Sequence, residues 1–221
     1  MRQIQSKKRY ILALLIGTFI FLNGFIITNT ILSIQFNRVS QFQDQTSYAI
    51  FKDKLNYELF NADPCTTDNF NKISDDLSYQ GASIGDLEEK LGKNNNKVKF
   101  RKEFYNLVEL EHFEYINDIN RLCGKNFTTL LFFYSNQRND LDKSERLGRL
   151  LDFIRSKKDN LVIYSFDINL DSEITRNLIK LYNIEESPTI IINNDKRLSG
   201  DIELKDIEEN LISLKKVIVK L

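Results

Sequence analysis

Two cysteines, Cys65 and Cys123, are the only thiols of this 221-residue chain, and His112 is its only imidazole. A thiol pair can close a structural disulfide, or it can exchange with a substrate disulfide if one thiolate has a lowered pKa and can be reached. His112 could ligate a metal only with cysteine or carboxylate company. It lies between Val108 and Tyr115 on an apolar helical seam, which marks it as a packing residue, and no metal site is expected. Any Ser-His-Asp triad would have to use that same histidine, far from a strand-to-helix elbow, so that chemistry is set aside. Acidic pairs such as Glu88-Glu89 and Glu208-Glu209 read as solvated helix faces. With eight glycines in all and no Gly-rich phosphate loop, no cofactor is expected. Two polar segments stand at the ends of apolar runs: Ser135-Asn136-Gln137-Arg138 after Leu130–Tyr134, and Ser187-Pro188-Thr189 before Ile190-Ile191-Ile192.

What the thiols can do depends on where the chain resides. From Tyr10 to Ile34 there are 25 residues without a charge, and at about 1.5 Å each a helix of that length spans a hydrocarbon core of roughly 30 Å. A cleaved signal peptide is the competing reading, but the run exceeds the usual apolar region and no small-x-small site closes it. A retained single-pass membrane anchor is expected. Lys7-Lys8-Arg9 precede the span and only Arg38 follows it closely, so the positive-inside bias places the N-terminus in the cytoplasm and everything after about residue 35 outside. Outside the cytoplasm, Cys65 and Cys123 become disulfide candidates; two unpaired buried thiols are the alternative. The chain is neutral overall, but its five basic residues before Asp44 leave 26 basic against 31 acidic residues in the remainder. A mildly acidic body with no basic stripe argues against nucleic acid as a partner.

The elements that must position these groups begin with helices. Val39 to Phe60 reads as a helical stalk with Phe42, Ala49, Leu55 and Leu59 on its apolar side, ended by Pro64. A helix from about Asp68 carries the seam Phe70, Ile73, Leu77, Gly81, Ile84, Leu87, Leu91, and a third from about Lys97 carries Tyr105, Val108, His112, Tyr115, Ile119, Leu122. Gly92 and Asn94-Asn95-Asn96 form the turn of an antiparallel hairpin, and Gly124 caps its end. Cys65 lies 30 residues before Asn95 and Cys123 lies 28 after it, so the two stand at nearly equal height and can meet across the open end.

After Gly124 the pattern is strand (Thr128–Tyr134), helix (Leu147, Leu150, Leu151, Ile154), strand (161–166) and helix (Ile174, Leu178, Leu181, Tyr182). A strand after Pro188, a turn at Asn193-Asn194-Asp195, a short strand at 197–199 and a helix with Leu204, Ile207, Leu211 and Leu214 complete it. The order β-α-β-α-β-β-α implies parallel crossovers first and a closing hairpin on the same sheet.

That order, with a proline opening the third strand, resembles the thioredoxin-like superfamily over roughly Thr128 to Leu214. The expected organisation is a cytoplasmic tail (1–9), a transmembrane helix (10–34), a helical stalk and antiparallel hairpin (35–124) and an α/β thioredoxin-like domain (125–221). The whole chain is also similar to membrane-anchored thioredoxin-like proteins of archaeal genomes. The resemblance implies a cis Ser187–Pro188 bond and a Thr189 that faces the active site. It also implies Cys-x-x-Cys where this sequence has Ser135-Asn136-Gln137-Arg138, and no cysteine follows Cys123. Serine forms no exchangeable sulfur bond, so the usual redox mechanism is closed to this domain.

Such folds hold extended peptides beside the proline loop by backbone pairing, which needs no thiol. Ser135, Asn136, Gln137, Arg138, Ser187, Pro188 and Thr189 are therefore the expected surface for a protein or peptide partner; alternatively they only cap the sheet. Two other functions stay open: a thiol-disulfide oxidoreductase using Cys65 and Cys123, and a membrane spacer with a passive tip. Asn126-Phe127-Thr128 fits a glycosylation sequon.

Overall fold

The computed structural model describes residues 2–60, 65 and 70–218. The expected helix stop at Pro64 and helix start near Asp68 lie outside the described residues, as do the side chains of Leu59, Phe70 and Leu214.

Helix α1 (Arg2–Phe60) is continuous for 59 residues, because no proline interrupts it and nothing between the apolar run and the stalk breaks the ladder. It is the one described helix long and apolar enough to cross a membrane. Residues 7 to 31 are exposed all round, and four polar side chains among them bond back to the helix: Asn23 Nδ2 donates to the Phe19 carbonyl at 2.8 Å, Thr28 Oγ1 to that of Gly24 at 2.9 Å, and Asn29 and Thr30 to those of Phe25 and Ile26. A hydrocarbon core would offer such groups no other partner.

Helices α2 (Phe70–Leu91) and α3 (Asn96–Cys123) run antiparallel. Gly92 turns between them at φ 87°, and Asn95 caps α3 by accepting from the Lys97 amide at 2.9 Å. Burial on α1 begins at Leu32, and from there α1 packs on both helices, so the segment expected as a free stalk is the third member of a bundle. Its buried face is also corrected. Val39, Gln43, Thr46 and Ile50 point inward, while the expected Phe42, Ala49 and Leu55 are half-buried.

The sheet contains β1 (Thr128–Tyr134), β2 (Leu161–Asp167), β3 (Thr189–Ile192) and β4 (Lys196–Ser199) in the order β2-β1-β3-β4. β1 is parallel to β2 and antiparallel to β3, and β3 turns into β4 through Asn193 and Asn194, both left-handed. Such a turn matches the twist of the strands it joins.

Strand alternation gives the sheet two apolar faces. Leu131, Phe133, Tyr164, Phe166 and Ile191 pack toward α3 and α5 (Glu173–Leu181). Leu130, Phe132, Ile190 and Ile192 pack toward α4 (Leu141–Arg155) and α6 (Leu204–Ile218), where Leu147, Leu151, Ile207 and Leu211 meet them. Each fully buried side chain of this kind contributes about 1.5–3 kcal/mol. The first face is continuous with the bundle core, so one interior runs from α1 across Gly124 into the α/β part. Leu181, expected to point inward, is 73% exposed; α5 ends there and Tyr182 packs on Phe133 instead.

Candidate binding site

Because β1 and β2 are parallel, their carboxyl ends, Tyr134 and Asp167, lie side by side and the polar residues that follow them converge. The Ser135 amide donates to Ser144 Oγ at 3.1 Å, and the Ser135 hydroxyl donates to Asn169 Oδ1 at 2.8 Å. The Asn136 amide donates to the same Asn169 oxygen at 3.0 Å, and Asn136 Nδ2 donates to Asp167 Oδ2 at 2.8 Å. Lys93, from the α2–α3 turn, donates to Asn136 Oδ1 at 3.0 Å. The loop after β1 is thus held from β2, α4 and the bundle at once.

Beneath it lies a buried ion cluster. Lys102 of α3 pairs with Glu88 of α2 at 2.8 Å and with Asp167, and the three side chains are only 7, 12 and 7% exposed. Burial alone presses the Lys102 pKa down, but Tyr134, Asp167 and Glu88 outweigh it and hold the ammonium above its ordinary range. A buried cation of this kind is tolerated only while its partners stay in place.

The second segment meets the first. Ser187–Pro188 is a cis peptide, and the Ser187 hydroxyl lies 3.5 Å from Ser144 Oγ, so Ser144 stands between the two loops. The Pro188 carbonyl accepts from the Gly200 amide at 2.9 Å, whereas among the described residues neither the amide nor the carbonyl of Ser187 takes a partner. Thr189 Oγ1 is turned to the Glu186 carbonyl and to Ser199 Oγ, each at 2.8 Å, and so is occupied toward β4. Of the seven residues expected to form the surface, Ser135, Ser187, Pro188 and Thr189 are buried, Asn136 is half-buried, and Gln137 and Arg138 are exposed. A cleft of about 360 Å³ opens beside Ser135 and Asn136 between α2 and α4. Gly85 leaves its space open on the α2 side, Gly81 makes room for the Tyr105 hydroxyl, and Lys102 and Tyr134 line it.

Cys65 and Cys123 are joined, with Cα atoms 5.4 Å apart. Cys123 precedes β1, while Pro188 lies beside the far end of that strand, where Thr189 pairs with Phe133. Seven residues at about 3.3 Å each separate the two ends by roughly 20 Å. His112 is buried with Nδ1 3.1 Å from the Tyr164 hydroxyl, and burial pushes its pKa down to about 3, so it stays neutral. Among the described residues no three His, Cys, Asp or Glu side chains group closely enough to share a metal ion.

Sequence reasoning passed over Lys93, Lys102, Ser144, Asp167 and Asn169, and its reading of Glu88 as part of a solvated helix face is corrected, because that side chain is turned inward onto Lys102. Their contributions come from three helices, one strand and two connecting segments, and no local spacing announces that. Asp167 and Asn169 did carry one signal, as polar residues at the carboxyl end of a strand predicted to run parallel to β1.

No protein-family model matches this sequence, and no curated protein matches it. A solved structure described as "Structure of a malarial protein" is 18% identical, covers 41% of this chain and 96% of its own, and superposes with a TM-score of 0.32. A likeness that loose carries no inference about function.

Proposed function

We propose that this is a single-pass membrane protein whose outer part carries a thioredoxin-like domain that binds an extended protein or peptide segment and has no redox activity at the usual site. The strand order, the helices on both faces and a cis proline opposite the loop after β1 support the thioredoxin-like reading. The basic triplet before the span and an oxidised cysteine pair support a cytoplasmic N-terminus and an outer head. The observation that carries the binding reading is the unpartnered backbone of Ser187, linked through Ser144 to the loop that carries the exposed Gln137 and Arg138. A backbone amide and carbonyl that pair with nothing in the chain are available to an added strand. The distance of Cys65–Cys123 from Pro188 counts against a thiol-exchange enzyme, and the spacer reading differs in leaving the Ser187 edge empty.

The test is affinity capture from native membranes with the full chain, comparing wild type with Gln137→Ala/Arg138→Ala. A specific partner lost in the variant supports binding. Identical captures from both, or rapid exchange of the Cys65–Cys123 bond with a test disulfide, would refute it.

A further inference from the structure

We infer that the α2–α3 turn is a membrane-contact surface that rests on anionic lipid headgroups beside the point where α1 leaves the bilayer, an inference that depends on α1 being a membrane span. The geometry fixes the height of the turn. Nothing packs on α1 from residue 7 to 31, and cover begins at Leu32. Lys90 Nζ donates to Gln35 Oε1 at 3.1 Å, and Lys97 and Arg101 lie over the Phe36 ring at 5.6 and 5.0 Å from its centroid. Gln35 directly follows the apolar run, so Gly92 to Asn95 stand level with the membrane exit while α2 and α3 both lead away from it.

The chemistry of the turn matches that position. Residues 90 to 102 hold six basic side chains and no acidic one. Lys102 alone is spent inward on Glu88 and Asp167. Lys90, Lys93, Lys97 and Lys99 are exposed and Arg101 is half-buried. Among the described residues none of these five pairs with a carboxylate; Lys90, Lys93 and Arg101 reach only the amide oxygens of Gln35, Asn136 and Gln43. Phe100, 58% exposed within this run, supplies an apolar side chain of the kind that interfacial helices bury at the headgroup boundary. Charges so close together repel one another, and lipid phosphates at the same height supply the missing anions. Surface attraction of this sort fades within a Debye length of about 10 Å, so placement decides it. Averaged over a mildly acidic body, the cluster is invisible, and the expectation of no basic stripe is corrected at this one end.

The full chain, reconstituted in neutral phosphatidylcholine vesicles or in a mixture with phosphatidylglycerol, carries a fluorescent residue at Asn95 or, as an anchor control, at Phe21. Headgroup-labelled quencher lipids should quench the Asn95 probe several-fold more in the anionic vesicles, and high salt or Lys93→Glu/Lys97→Glu/Lys99→Glu should abolish the difference. The milder Lys→Gln triple variant, checked by circular dichroism, guards against misfolding. An unquenched Asn95 probe with Phe21 inside the bilayer overturns the inference alone; Phe21 outside the bilayer overturns the anchor and the inference together. Charge reversal that releases a soluble acidic peptide or nucleic acid, with Asn95 quenching unchanged, also overturns it.

Discussion

The hydroxyls of Ser144 and Ser187 lie 3.5 Å apart in the interior, joining α4 to the loop that enters β3. Since Ser144 also accepts from the Ser135 amide, one side chain ties together both loops of the candidate site.

Ser144→Ala should therefore cost more than a lost hydroxyl. It strands the buried Ser135 amide, a penalty of about 1–3 kcal/mol, and frees the 135–138 loop. Chemical denaturation measures the loss, and amide exchange should rise at Ser135 while β2 stays protected.

Lys102→Met should be the most damaging single change in the α/β part. It leaves Glu88 and Asp167 facing each other in a site of low exposure, and breaking a buried pair costs about 3–5 kcal/mol. Adding Glu88→Gln and Asp167→Asn should recover much of that stability, read from denaturant midpoints.

Two buried titratable groups on α3 set the pH response. His112 has its folded pKa lowered by burial from 6.5 to about 3, so its contribution is present above 6.5 and lost as pH falls toward 3. Glu109, buried while it accepts from the Ser165 amide, is held well above its ordinary 4.5, so its contribution is present below that value and lost as pH rises. Stability from this pair should peak between 4.5 and 6.5. Glu109→Gln should flatten the alkaline limb and His112→Asn the acid limb of a thermal-unfolding profile.

Cys65→Ser/Cys123→Ser opens a loop of 57 intervening residues, which the chain-entropy model values at roughly 4 kcal/mol. A lower unfolding midpoint is expected, with no change in partner capture because the bond lies at the other end of β1. Parallel denaturation and capture of the variant check both halves.

Hydrophobic period made most of the architecture legible. Ile73, Leu77, Ile84 and Leu87 are buried where their spacing put them, as are Tyr105, Val108, Tyr115 and Ile119, and Asn193-Asn194 turns as its residue types require. The buried face of α1 was not legible, because half of it is polar. Gln43 Nε2 donates to the Arg101 carbonyl at 2.9 Å and Gln80 Nε2 to Thr46 Oγ1 at 2.6 Å, so hydrogen bonds rather than apolar spacing select that face. The site divides along the same line. Both loops announce themselves by composition at strand ends, while Lys93, Lys102 and Ser144 reach them only through tertiary contacts that leave no local periodicity.

The most direct test of the binding account is a photo-activated crosslinker placed at Gln137 in the full chain, in native membranes, with the exposed Phe153 on α4 as the comparison position. The account predicts a discrete adduct from Gln137 whose crosslinked residues map to an extended segment of one partner, and none from Phe153. No adduct at Gln137, or the same adducts from both positions, would contradict it.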